Sequence, residues 1–352
     1  MQARREAQAR WRAALREGEA IKKMVTPKVA VNIVTFNSAC DIAACLESLR
    51  LQTFQDVDIH VFDNASSDET LRIIEPFDVK YLMRSPVNTG FCKAHNGLAR
   101  RFSSEYILFL NPDTVLSPSF IEQLVRKLDS HPEAASASGK LLRMDGKTID
   151  STGIIMLREQ RHLDRGADLT DIGQFENFEE IFGPSGAAAM YRRKALEDVA
   201  IDGGQYFDED FFAYREDADL AWRCRLLGWT SIYVPTAVGR HRRRVTPERR
   251  RKLPKEINYH SVKNRFLLRI NNITGELYRR DLWQITRRDI AVVGYVCLRE
   301  WTSLGGLFYV IRNLPRLLRK RKSIQARRQA DPLSWFQNSA DYPHHPSDPR
   351  LK

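Results

Sequence analysis

Cysteine is scarce in this chain, with five in 352 residues, and no two stand at CxxC or other metal-ligand spacing. A zinc module and a disulfide scaffold are thereby excluded, and the cysteines read as reduced thiols of a cytosolic setting. Long apolar runs are missing as well. The first 28 residues mix Arg, Lys, Glu and Ala and contain no apolar core of a signal peptide. The best candidate for a membrane span, Ile290 to Ile311, is interrupted by Arg299 and Glu300. No GxGxxG follows the first apolar run, so a dinucleotide-type Rossmann fingerprint is absent. There is no internal repeat. Acid is outnumbered, with 44 Asp and Glu against 56 Lys and Arg and a formal net charge of +12. That balance points to an anionic partner: nucleic acid, membrane lipid or a phosphorylated substrate.

What is present is a regular alternation. "KVAVNIVTF", "VDIHVFD", "VKYLMR" and "EYILFL" read as strands. "DIAACLESLRLQ", "DETLRIIEPF", "FCKAHNGLARRF" and "SPSFIEQLVRKL" read as the helices between and after them, with Asp68 a candidate cap and Pro118 in a first turn. The pattern predicts an α/β fold, a mostly parallel sheet with helices on both faces. After residue 134 the rhythm breaks into short strands around an Asp145-Gly146 turn, and residues 158–180 read as a polar loop. A helix is expected from Glu216 to about Leu227, stopped by Gly228.

Several polar residues fall where such a sheet binds ligands, at the carboxyl ends of its strands. "LFLNPDTVLSP" puts Asp113 at a strand tip; Asn, Pro and Asp favour turns, and a carboxylate there can equally hold a divalent metal and through it a diphosphate. Asp63 ends a strand before "NASSD", either as a polar terminus or as an acceptor for a base or ribose. Asn88 and Gly90 precede a helix, as a cap and turn or as a close approach to phosphate or sugar. Glu216, Asp217 and Asp219 open a helix between aromatic runs, complementing its dipole or supplying a general base. His241 lies in a basic cluster, either structural or solvated, or completing a metal site with Asp113 or contacting phosphate.

Taken in order, "VNIVTFNSACDIAACLESL", "VFDNASSDET", "NTGFCKAHNGL", "LFLNPDT", "GPSGAAAMYRRKAL" and "YREDADLAWRCRLLGW" resemble the blocks of family 2 inverting glycosyltransferases of the GT-A fold, most nearly the rhamnosyltransferase-like branch. The resemblance covers roughly residues 28–270. It implies that Thr35, Phe36 and Asp63 hold the nucleoside of a dTDP- or UDP-sugar. Asn88, Gly90 and Asn111 would border the nucleotide and diphosphate. Asp113 would ligate Mg²⁺ or Mn²⁺, and His241 would assist the metal or the diphosphate. Gly186 and its neighbours would shape the acceptor or donor-sugar side, Glu216 would join the nucleotide-sugar site, and Asp217 would be the catalytic base. Asn111 stands where the DxD motif has its first acid, so one metal carboxylate is missing. The reaction implied is a single inverting displacement onto a glycan or polyprenyl-diphosphate-linked acceptor, in cell-surface polysaccharide synthesis.

The sequence also predicts four regions: a basic helical extension over 1–27, the GT-A domain over 28–270, a basic amphipathic helical region over 271–330, and a disordered tail over 331–352. Lys263, Arg265 and Arg269, together with the aromatic and basic segment beyond Val293, read either as interfacial helices on an anionic membrane or as a solvated hairpin packed on the core. The first reading implies a cytoplasmic protein, peripheral on the inner face of the cell membrane. Two rivals remain open at this stage. One is a nucleic-acid binder, motivated by the charge but lacking an RNA-recognition motif. The other is an inactive scaffold, motivated by Asn111.

Overall fold

A computed structural model of the chain describes residues 26–244 and 254–338. The expected N-terminal helix and the last 14 residues of the expected tail lie outside these ranges.

The first half alternates as the sequence predicts: β1 Val29–Thr35, α1 Ile42–Arg50, β2 Val57–Asp63, α2 Thr70–Ile74, β3 Tyr81–Arg84, α3 Phe91–Ala99, β4 Tyr106–Leu110, β5 Thr114–Leu116 and α4 Phe120–Ser130. The N-cap position of α2 is Glu69, not Asp68; Asp68 lies one residue before it, and its Oδ1 accepts from the Thr70 N–H at 3.1 Å. Pro118 stands just before α4 instead of inside its first turn. Then follow β6 Ala134–Leu142, β7 Ile149–Ser151, β8 Ile154–Leu157, β9 His162–Asp164, β10 Glu179–Glu180, β11 Ala188–Arg192, α5 Arg193–Val199, α6 Glu216–Leu226 and β12 Thr230–His241. Three long helices come last, α7 Lys255–Asn272, α8 Gly275–Arg299 and α9 Leu304–Ala326, before the short strand β13 Phe336–Gln337.

The main sheet runs in the order β10-β12-β6-β11-β4-β1-β2-β3. Strands β4, β1, β2 and β3 are parallel, while β11 is antiparallel to both its neighbours. Successive side chains of a strand face opposite sides. Leu108 and Leu110 therefore join Val29, Val31 and Ile33 under α1 and α4, whereas Ile107 and Phe109 join Tyr191, Trp222 and Leu267 on the other side. Both faces are dry, which is why the central strands read as continuous apolar runs.

The second core continues into the C-terminal helices. Leu277, Ile285, Val310, Leu317 and Ile324 are buried in the same cluster as Trp222. The expected boundary at residue 270 falls inside α7. Residues 331–338 are ordered, with Phe336 pairing to Met156 of β8 and packing on Trp222. Lys263 and Arg265 are buried, so they are not the lipid-facing cations that their spacing suggested. Arg265 and Arg269 instead pair with Asp289.

Candidate active site

The carboxyl ends of β1, β2 and β4 lie side by side, and Thr35 is in register with Asp63. The Thr35 hydroxyl donates to Asp63 Oδ1 at 2.9 Å, and Oδ2 accepts from the Ser66 N–H at 3.1 Å. The Asp63 carboxylate is thus fixed beside the "NASSD" loop, with Phe36 exposed next to it. Asn64 and Asn88 link the neighbouring loops: Asn88 Oδ1 accepts from Asn64 Nδ2 and from the Gly90 N–H, each at 2.9 Å. Gly90 has φ 88°, and a Cβ there would stand 2.5 Å from the Phe212 ring. Only glycine lets the α3 N-terminus approach the segment that precedes α6.

Asn111 is tied into the sheet edge, its N–H donating to the Ala187 carbonyl at 2.9 Å. Beyond it, Asp113 Oδ1 lies 3.3 Å from His241 Nε2, because β12 pairs antiparallel to β5 with His241 opposite Thr114. His241 Nδ1 meets the fully buried Asp150 at 2.8 Å. Burial opposes a charge on His241, but its hydrogen bonds with Asp113 and Asp150 raise it to about 9. Asp150 also binds Arg243 at 2.9 Å, and Arg243 reaches Asp164 at 2.6 Å. Burial works against the Asp150 charge as well, yet His241 and Arg243 hold it below the usual carboxylate range. Sequence reading missed Asp150, Asp164 and Arg243. Their partners lie far away in the chain, and only the antiparallel return of β12 brings them together.

Asp113 and His241 offer one carboxylate and one imidazole. Among the described residues no cluster of three His, Cys, Asp or Glu completes a metal cage. Mg²⁺ and Mn²⁺ are commonly held by one or two protein ligands, with the remaining positions filled by substrate phosphates and water. The pair fits such a shared site only when the ion displaces the proton that His241 Nε2 shares with Asp113, and Asp150 on the other ring nitrogen then orients the imidazole as an outer carboxylate does.

Asp217 sits at the head of α6. Its Oδ2 accepts from the Gly186 N–H at 3.1 Å and its Oδ1 from the Ala218 N–H at 2.7 Å. A Cβ on Gly186 would come within 3.2 Å of that carboxylate, so the glycine makes room for it. Burial raises the Asp217 carboxyl, and the charge of Asp164 adds to the effect. Glu216 is more deeply buried, and its Oε2 has no partner. Burial first, then Asp217, pushes it to about 8. Asp219 does not join this pair. It bonds Arg223 at 2.9 Å and Asn272 at 2.7 Å inside the core. The site therefore offers a hydroxyl-and-carboxylate corner, a carboxylate–imidazole pair, and two perturbed acids. Hydrogen bonds from Asn111 through Ala187 and Gly186 connect the strand tip to Asp217.

Comparison with known proteins agrees. Residues 30–200 match the model "Glycosyl transferase family 2". The N-acetylglucosaminyl-diphospho-decaprenol L-rhamnosyltransferase of Mycobacterium tuberculosis is 28% identical over 242 residues, 60% of this chain and 75% of that one. S. aureus TarS 1–349 in complex with UDP-GlcNAc aligns with a TM-score of 0.54 at 18% identity, over 85% of this chain and 88% of that one. The chain spans only 53% of the longer TarS chain. The mannosyltransferase PcManGT of Pyrobaculum calidifontis, solved with GDP-Man and Mn²⁺, aligns with a TM-score of 0.50 at 15% identity, over 92% and 93%. The chain is a glycosyltransferase whose residues 30–200 form a family 2 glycosyl transferase domain, on a mixed sheet of the GT-A type.

Proposed function

We propose that the chain transfers one sugar, with inversion, from a nucleoside-diphosphate donor to a glycan or polyprenyl-diphosphate-linked acceptor. The observation that carries this reading is the link between the two acids: Asp217, at the head of α6, accepts from the Gly186 N–H, and the next residue, Ala187, accepts from Asn111, two residues before the Asp113–His241 pair. Thr35, Phe36 and Asp63 face the nucleoside, and Asn88, Gly90 and Asn111 border the diphosphate. Asp113 and His241 hold a divalent ion, which would neutralise the leaving diphosphate. Asp217 takes the proton of the acceptor hydroxyl as that oxygen attacks the anomeric carbon. A raised carboxyl suits the task, because a base is most effective when its pKa approaches the working pH. Glu216, protonated near neutrality, has a free oxygen with which to hold a sugar hydroxyl. L-rhamnose on a polyprenyl-diphosphate acceptor is the first pairing to test, because the mycobacterial relative is named for it.

The same reading places the protein on a membrane surface. Among the described residues no helix is long and apolar enough to cross a bilayer. Helices α8 and α9 and the turn between them nevertheless expose Trp283, Ile290, Leu298, Trp301, Phe308 and Ile311, with Arg287, Arg312, Arg319 and Lys322 exposed among them. An apolar face rimmed by cations complements an anionic bilayer, where a lipid-linked acceptor is presented.

A thermal-shift screen of UDP-, dTDP- and GDP-sugars with Mg²⁺ or Mn²⁺ tests the core of the reading. A ligand at a hundred times its Kd stabilises the fold by about 2.7 kcal/mol. At least one nucleotide sugar is expected to raise Tm with metal, and Asp113→Asn to remove the metal's increment. If no nucleotide sugar shifts Tm, the proposal is wrong.

A further inference from the structure

The segment that delivers Glu216 and Asp217 is shaped from outside the family-matched residues. Phe212, Tyr214 and Arg215 have φ of 67°, 72° and 71°. Side chains rarely adopt this left-handed region, and it persists only where the surroundings over-determine it. The surroundings here come largely from α7. Asn264 Nδ2 shares its two hydrogens among three carbonyls of the loop, those of Phe211 at 2.9 Å and of Ala213 and Tyr214 at 2.8 Å each. Asn264 is fully buried, so the amide has no solvent alternative. Lys263 Nζ donates to the Asp210 carbonyl at 2.5 Å. The His260 ring stacks on Phe212 with centroids 4.7 Å apart and planes 8° from parallel.

A second hold comes from α9. Lys320 Nζ binds Asp208 at 2.7 Å and Asp210 at 2.6 Å. Arg316 and Tyr309 bind the Asp210 carboxylate at 2.6 and 2.7 Å. Loop 208–215 is therefore gripped at its start by α9 and along its backbone by α7. Asp217 follows it by two residues.

We propose that Asn264 is a positioning residue for glycosyl transfer: by bridging the carbonyls of residues 211, 213 and 214 it fixes the left-handed entry to α6 and so aims the Asp217 carboxylate into the site. This rests on the reading of Asp217 as the base. Asn264 itself touches neither nucleotide nor sugar side. Its loss misaims the base and leaves the Thr35–Asp63 corner intact.

The test uses the full chain, with UDP as binding probe, dTDP-L-rhamnose and UDP-GlcNAc as donors, and N-acetylglucosaminyl-diphospho-decaprenol as acceptor. Asn264→Ala and Asn264→Asp are expected to slow single-turnover transfer about 10²-fold, the order of loss from roughly 1 Å of misplacement. UDP affinity by calorimetry is expected to stay within about twofold. The double variant Asn264→Ala/Asp217→Asn is expected to be no slower than Asp217→Asn alone, because both act through one group. Wild-type turnover in folded Asn264→Ala overturns the proposal, as does a double variant slowed by the product of the single effects. Should the Asn264 variants fail to fold, His260→Ala loosens the same loop from a half-buried position, and a wild-type rate there overturns the proposal equally. An active Asp217→Asn would sink the base assignment and this role with it. An inactive Asp217→Asn beside a fully active Asn264→Ala would sink the positioning role alone.

Discussion

Replacing Asp217 with asparagine separates chemistry from stability. The asparagine oxygen can keep the bond from the Ala218 N–H, now 2.7 Å, while its amide turns toward the Gly186 N–H and loses the bond of 3.1 Å. An unmet N–H costs about 1–3 kcal/mol when fully buried. Gly186 is only half-buried, so water offsets part of this. On the other side, a buried charge next to Glu216 and near Asp164 disappears. The two effects oppose each other, and the expected net change is within about 1 kcal/mol, or roughly 1–2 °C in Tm for a chain of 352 residues. The rate tells a different story. Loss of general-base catalysis costs about 10²–10⁴-fold, which is about 2.7–5.4 kcal/mol in the barrier. The stability also acquires a pH signature. Glu216 is raised to about 8 in the folded state, so between the ordinary glutamate range and about pH 8 the folded protein binds more protons than the unfolded chain. The unfolding free energy therefore falls as pH rises through that window. In Asp217→Asn the neighbouring charge is gone, Glu216 moves back toward its ordinary value, and this slope flattens. The measurements are single-turnover transfer, UDP affinity, and urea melts from pH 5 to 8. A stable Asp217→Asn with wild-type transfer would refute the assignment of the base.

Other expectations follow from the same geometry. Lys320→Met leaves Asp208, fully buried and already raised by burial, without its cation. Breaking such a pair costs about 3–5 kcal/mol. The deficit shrinks on acidification, when Asp208 takes up a proton, and urea melts at pH 5 and 8 check both size and sign. A loss under about 1 kcal/mol at pH 8 would discard the ion-pair account. Gly90→Ala forces a Cβ toward the Phe212 ring at φ 88°, and is expected to lower both Tm and UDP affinity; calorimetry showing neither would contradict the close approach. Trp301→Glu with Phe308→Glu is expected to reduce flotation with phosphatidylglycerol liposomes while UDP binding holds. Equal flotation of variant and wild type would remove α8 and α9 as the membrane face.

Much of the sheet was legible because its rules are local. Strands buried on both faces are apolar throughout, helices between them are amphipathic, and acids at strand ends mark the ligand edge. Asp63, Asp113 and the start of α6 at Glu216 follow from those rules. The charged residues of the second half were harder to read. Lys263 and Lys320 look like surface cations in sequence, because their partners, Asp210 and Asp208, lie 53 and 112 residues away. Asp150 falls in the run of short strands around the Asp145-Gly146 turn and carries no signal of its own, and only the return of β12 shows it beneath His241. Asn264 carries no signal in sequence at all, since an asparagine in a helix gives no indication of which carbonyls it will meet.

The 112 residues between Asp208 and Lys320 also set an order of events during synthesis. At about 5–20 residues per second, the ribosome needs on the order of 6–22 s to go from one to the other. In that interval the parallel half of the sheet, with its nucleotide corner at Thr35 and Asp63, is complete in sequence and free to form. The loop before α6 still waits for the cation that fixes its first acid. On the proposed assignments, maturation would run from donor end to base, and a chain that stops short of α9 would have the donor corner without the cation that holds the loop before the base.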